Sequence, residues 1–350
     1  MANPSAQSIQ TLSEFLLHAG TNFQLFDLGR GVHAMDTQMF LDLENGMLPC
    51  PRPRQQHAWF AIVFWSGKPV KQHYVWFVKF PVDERGLLVV AARNHFLQII
   101  VDALGSSLSE DGQDELPDNP YSFVPPQSQM ANFNALTRRL LHLPDSVGTD
   151  KVEQYVKAPA ISDWRELSVQ AVADFAVKLE APTLAKTVAD NLKLYQQDFL
   201  KTLFESAEPV ALDNALNNAI ADFCQVRIDS EPAVGLAALR ALSSETPEPQ
   251  TKTLLANLLA KDSADIHLLS VIAGRLYSQL DESLLVAFFE RAAFIDDKEA
   301  MQGQLFAGFF SDLVQLPVLR LQVLGMLRSP DRSEILAVAF GRLFNQTQKQ

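Results

Sequence analysis

The chain is 350 residues long, 47% hydrophobic and 20% charged, with a formal net charge of −12. That length exceeds one ordinary core, so two domains, or one domain and a repeat array, are expected. The composition excludes a disordered chain, and the acidic balance argues against binding to a phosphate backbone. Residues 1–105 hold eight Lys/Arg and eight Asp/Glu, so the whole acidic excess lies in residues 106–350. Cys50 and Cys224 fall in different halves and give no disulfide framework. The opening residues, MANPSAQSIQTLSEF, have neither the basic start nor the apolar core of a secretory signal. The longest apolar run, Ala58 to Trp65, is far short of the ~20 residues of a membrane-spanning helix. A cytoplasmic protein with no membrane partner is the expectation.

In chain order, Ile9, Leu12, Leu16 and Ala19 fall on one helical face, which Gly20 ends. Two short alternating runs flank Gly29-Arg30-Gly31 and predict a β-hairpin, followed by a short helix from about Asp36 to Glu44. The proline-bounded stretch LPCPRPRQQH then leads into a second hairpin over Ala58 to Phe80, turning at SGKP. Its first strand is apolar on both faces, as in a strand covered on both sides. DERG makes the next turn, and a helix carrying Phe96, Leu97, Ile100 and Leu104 closes an α+β domain with an antiparallel sheet over residues 1–105. Residues 106–127 are acidic and proline-rich and read as a linker.

Residues 128–350 read as helical throughout. Proline follows a capping or acidic residue at Glu208-Pro209, Glu231-Pro232, Thr246-Pro247 and Ser329-Pro330. With the caps Ser263, Asp281 and Asp297, helices are expected to begin near 231, 247, 264, 282, 298, 316 and 331. The series 231, 264, 298, 331 advances by 33, 34 and 33 residues, a two-helix unit that predicts an all-α array, a HEAT-like α-solenoid. The residue signatures of tetratricopeptide and ankyrin repeats are absent, and an irregular helical bundle is the alternative.

Chemistry is weakly signalled. Arg52, Arg54 and His57 would activate Cys50 only if they folded back on it, and the alternating prolines hold this segment extended. His33, Asp36, His57, His73 and His95 share one small domain but show no HExxH, CxxC or HxH spacing. Gly67-Lys68 lacks the remainder of a phosphate loop, and Gly29-Arg30-Gly31 lacks the third glycine of a dinucleotide fingerprint, so both read as turns. No catalytic, cofactor-binding or metal residue is assigned, and no cofactor is expected. Eight aromatic residues lie between Trp59 and Phe80, and the first expectation for them is a sheet core. A docking surface would draw on Trp59, Trp65 and Trp76 with the nearby cations Arg52, Arg54, Lys68 and Lys71. A nucleic-acid stacking platform would need a positive groove, which a neutral domain does not favour.

The segments FQLFDLGRGVHAMD, WFAIVFW with HYVWFVKFPVDERGLL, and NPYSFVPPQSQMANFNA resemble a proteobacterial family catalogued only as a domain of unknown function. The resemblance covers nearly the whole chain and implies a bacterial cytosolic protein, with no activity, cofactor or catalytic residue to carry over. The leading expectation is a non-enzymatic interaction or scaffold protein whose acidic helical surface takes another, basic protein, with a homodimer also open. One alternative is an enzyme or small-ligand protein with its site at the junction of the domains; another is single-stranded nucleic-acid binding by the N-terminal domain.

Overall fold

The computed structural model describes residues 9–69, 72–107 and 117–347; Lys71, residues 108–116 of the expected linker and the side chain of Leu104 lie outside them. The chain divides into two compact units, Met1–Pro125 with Gln315–Pro317, and Pro126–Val314 with Val318–Gln350.

The first unit is the expected α+β fold: α1 (Leu12–His18), β1 (Asn22–Asp27), β2 (His33–Met35), α2 (Thr37–Glu44), β3 (His57–Trp65), β4 (Tyr74–Pro81) and α3 (Val90–Ser107). Thr11 and Glu14 form a capping box that starts α1, and the Asp36 carboxylate accepts from the Gln38 and Met39 amides to start α2. The strands make one antiparallel sheet in the order β2-β1-β3-β4, with Leu25 opposite Ile62 and Phe26 opposite Ala61 where the two hairpins join. Leu25, Phe60, Ile62, Val78 and Phe80 bury one face against Leu12 and Leu16 of α1, Phe40 and Leu43 of α2, and Phe96 and Ile100 of α3. The opposite face is also buried at Phe26, Ala61 and Val63, as the doubly apolar strand predicts. Tyr121–Phe123, which composition places in a linker, runs along the free edge of β4: the Lys79 amide donates to Tyr121 O and the Phe123 amide to Phe77 O.

The second unit is helical: α4 (Gln127–Leu140), α5 (Thr149–Lys157), α6 (Val169–Ala176), α7 (Pro182–Asn191), α8 (Gln197–Ala207), α9 (Asn214–Arg227), α10 (Pro232–Ala241), α11 (Pro249–Ala260), α12 (Ile266–Arg275), α13 (Glu282–Lys298), α14 (Gln304–Leu313), α15 (Pro317–Met326) and α16 (Glu334–Thr347). Helices pack on their second neighbours. One layer runs α4, α6, α8, α10, α12 and the other α5, α7, α9, α11, α13.

Starts expected near 231, 282 and 316 fall within a residue of Pro232, Glu282 and Pro317, and those near 247 and 264 within two of Pro249 and Ile266. The start expected near 298 is displaced to Gln304, because the buried face of α13 continues through Ala292, Ala293 and Ile295. Asp297 caps nothing there. Its neighbour Asp296 is buried and accepts from the Gly303 and Phe306 amides at 2.6 and 3.0 Å, so the end of one helix caps the next. Glu208-Pro209 closes α8 instead of opening a helix, and α16 begins at Glu334, after Ser329-Pro330. Pro232 to Ile266 is therefore 34 residues, but Ile266 to Gln304 is 38 and Gln304 to Glu334 is 30.

Candidate functional site

In the first unit, the two arginine-bearing loops lock into each other. The Gly29 amide donates to Asp27 Oδ1 at 2.8 Å, and a Cβ at Gly29 would lie 1.9 Å from Arg52 O, so only glycine allows the loops to meet. Gly31 supplies the positive φ, 123°, of this turn. The buried Arg30 side chain donates from Nε to Pro53 O at 3.0 Å, and Arg52 lies 3.6 Å from the buried Asp27 carboxylate. Burial raises the Asp27 carboxyl above its ordinary range, with Arg52 and the Gly29 amide opposing. Arg54 and His57 exchange both backbone hydrogen bonds around a two-residue turn whose centre, Gln55 and Gln56, has φ of 51° and 60°.

Of the docking residues expected from sequence, the described tryptophans fall on both faces of the sheet. Trp59 donates from Nε1 to Arg54 O at 3.1 Å; the Arg54 and Lys79 cations lie 4.6 and 5.2 Å from its ring centroid, and Phe123 meets it edge-on. The ring is thus partly covered from within the unit. Trp65, six residues further along β3, is half-buried, and Lys68 is exposed in the turn that follows. Trp76, opposite Ile62, lies on the other face of the sheet, against Phe15, Phe64 and Phe96.

Cys50 is buried in the core and its amide donates to Gly86 O. Burial pushes its thiol far up, and the Asp27 and Asp83 carboxylates push it further, the reverse of what a nucleophilic thiolate requires. Cys224 is likewise buried, its thiol pushed up to about 12. The histidines are spread: His33 Nε2 lies 3.1 Å from Arg30 O, His57 Nδ1 lies 2.8 Å from Gln55 O, and His95 Nδ1 lies 3.0 Å from the Tyr121 hydroxyl. Among the described residues no three His, Cys, Asp or Glu side chains are grouped to hold a metal ion, and no helix is long and apolar enough to cross a membrane.

The second unit offers a different chemistry, in which charges join successive helices of a layer. Glu208, buried at the end of α8, pairs with Arg240 of α10 at 2.6 Å and with Arg275 at the end of α12 at 2.5 Å. Burial alone would raise the Glu208 carboxyl, but Arg275 and Arg240 together hold it below its ordinary range. Arg138 of α4 meets Asp174 of α6 at 3.1 Å, Lys261 meets Asp229 at 2.6 Å, and Lys252 of α11 meets Asp281 at 2.8 Å. The Lys252 hydrogen bond is the largest influence on Asp281, which it helps to hold down at about 2 while the same carboxylate caps α13 through the Leu284 amide.

A groove of about 660 Å³ lies between α13 and α15. Leu285, Val286, Leu321 and Met326 line it; Glu282 and Glu290 stand on one wall, and Arg328, Asp331 and Arg332 belong to the other. Sequence reasoning missed this groove. The available signal was α15 itself, PVLRLQVLGM, which is apolar nearly all round.

A family model described as a protein of unknown function (DUF3549) matches residues 7–344. No curated protein and no solved structure matches the chain.

Proposed function

The chain belongs to the DUF3549 family, and on that premise we propose that it is a non-enzymatic, cytoplasmic scaffold whose HEAT-like helical array binds another, basic protein. The observation that carries this reading is the second-neighbour packing of α4 to α13, since helices stacked in two layers leave long faces free for a partner. Residues 128–313 supply the sign of that surface, with 16 Lys/Arg against 26 Asp/Glu. An acidic face speeds encounter with a basic partner and makes it salt-dependent.

The test is capture on the full chain from native lysate at low and high salt, beside a charge-matched control protein. A second bait carries Asp198→Asn, Asp222→Asn and Asp262→Asn, three exposed acids of the array. A basic protein held by the wild type, released by salt and weakened on the second bait is expected. Recovery of nothing beyond the control, or of a partner indifferent to both salt and the substitutions, would overturn the reading.

A further inference from the structure

The sequence contains one Asn-Gly step, Asn45-Gly46, and it closes α2. Such a step is open to deamidation, because glycine has no Cβ to shield its nitrogen from the preceding carboxamide. In that reaction the Gly46 nitrogen bonds to Asn45 Cγ, the bond from Cγ to its amide nitrogen breaks, and ammonia leaves with the proton that the Gly46 nitrogen gives up. Water then opens the five-membered imide, at Cγ to an aspartyl residue or at the main-chain carbonyl to an isoaspartyl one. Asn45 is exposed, so water reaches it.

The turn around Asn45 withholds the nucleophile. Gly46 takes a φ of 65°, its amide donates to Leu43 O at 3.1 Å, and the Met47 amide donates to Asp42 O at 2.9 Å, the two bonds of a Schellman motif. Asn45 has a ψ of 3°, so the Gly46 nitrogen eclipses the main-chain nitrogen of Asn45, and Cβ stands about a third of a rotation away from it. Closing the imide needs Cβ and the Gly46 nitrogen nearly eclipsed, a rotation that breaks both bonds of the motif. The residue before is tethered as well. Arg93, buried on α3, donates from Nη1 to Glu44 O at 2.6 Å, and the Glu44 carboxylate accepts from the Leu12 and Ser13 amides at 2.7 and 3.1 Å.

We propose that Asn45 is a dormant modification site, shielded by the Schellman turn and converted to aspartyl and isoaspartyl forms when the end of α2 opens. Local opening of a helix end costs less than global unfolding, so the native protein reaches the reactive geometry without losing its core. An isoaspartyl residue carries the main chain through Cβ and adds a methylene before Gly46. The turn then cannot re-form with both its bonds, and the tie from Glu44 to α1 loosens with it. An aspartyl residue leaves the backbone as it was.

The test is incubation of the full chain in mildly alkaline buffer, native and in guanidinium chloride sufficient to unfold it, with the tryptic peptide Gly31–Arg54 followed by mass spectrometry and by isoaspartyl methylation. In denaturant Asn45 is expected to react first among the asparagines of the chain. In the native protein it should react at least about tenfold more slowly, which corresponds to about 1.4 kcal/mol of opening. The isoaspartyl form, separated from aged protein, should unfold at lower denaturant than Asn45→Asp, which adds the charge without the methylene. A native protein that reacts at Asn45 as fast as the unfolded chain, another asparagine reacting first in denaturant, or an isoaspartyl form as stable as Asn45→Asp would overturn the proposal.

Discussion

The two units hold their carboxylates in opposite ways. In the sheet unit the deep carboxylates are single solutions to local problems: Asp27 ties the Gly29 turn, and Glu44 accepts from the Leu12 and Ser13 amides that open α1. Burial is the largest influence on both, and both are raised above their ordinary range. In the array the carboxylates lie between helices of one layer, and cations dominate: Glu208, Asp229 and Asp281 are all held low. A sheet fixes its neighbours through backbone hydrogen bonds and needs charge only at its turns. Stacked helices share no backbone bonds, so side chains must fix how each sits on the next.

The largest effects that would break this contrast come from deleting one member at the centre of each unit. Phe60→Ala removes a fully buried ring that meets Phe40 edge-on, and should destabilise the sheet unit by about 3–5 kcal/mol, read by the fluorescence of Trp59, Trp65 and Trp76 during urea unfolding. Glu208→Ala leaves Arg275 without its carboxylate and Arg240 with only Glu205, at 3.4 Å, and should cost the array about 3–5 kcal/mol by far-UV circular dichroism. Replacing Glu208, Arg240 and Arg275 together by apolar residues of similar volume should recover most of that loss, because the cation left without its acid, and not the missing bridge, is what destabilises.

Overpacking should come next. A Cβ at Gly235 would lie 2.5 Å from Ile228 Cα, so Gly235→Ala should lower array stability by roughly 1–3 kcal/mol although alanine is the better helix former. Asp281→Ala removes the α13 cap and the Lys252 bridge together and should cost about 1–2 kcal/mol in thermal unfolding. At the small end, Gln56→Gly relieves a left-handed residue in the Arg54–His57 turn and should stabilise the sheet unit by about 1 kcal/mol.

Sequence reasoning reached the sheet unit well because its signals are local: Thr11, Asp36, the Gly29-Arg30-Gly31 turn and the doubly apolar β3 each act within a few residues. What it could not read there was long-range, such as β1 pairing with β3, or Tyr121–Phe123 joining the edge of β4. In the array, proline and caps located α10 to α13, but a constant 33-to-34-residue step did not persist. Asp296, one residue before the expected cap, serves a helix that starts eight positions later, and only burial distinguishes it from Asp297. Glu208 reads as a helix start beside Pro209, yet its role depends on arginines 32 and 67 residues away, whose convergence no local pattern records. The groove between α13 and α15 is a third case, since Glu282 and Glu290 come from α13 while Arg328, Asp331 and Arg332 come from the segment that follows α15.

The contrast in carboxylates predicts opposite responses to acid. A depressed carboxyl contributes stability that is present above its unfolded value and lost as pH falls towards its folded one, so Glu208 and Asp281 weaken the array between about pH 5 and pH 2. Raised carboxyls work the other way: Asp27 and Glu44 contribute stability that is complete below the unfolded value and lost as pH rises through the folded one. Hydrogen exchange followed by mass spectrometry during acidification from neutrality, with rates corrected for pH, tests this most directly. The account predicts that amides of α8, α10 and α12 lose protection first while β1, β3 and β4 keep theirs. Loss of the sheet amides before the array, or of both in one step, would contradict it.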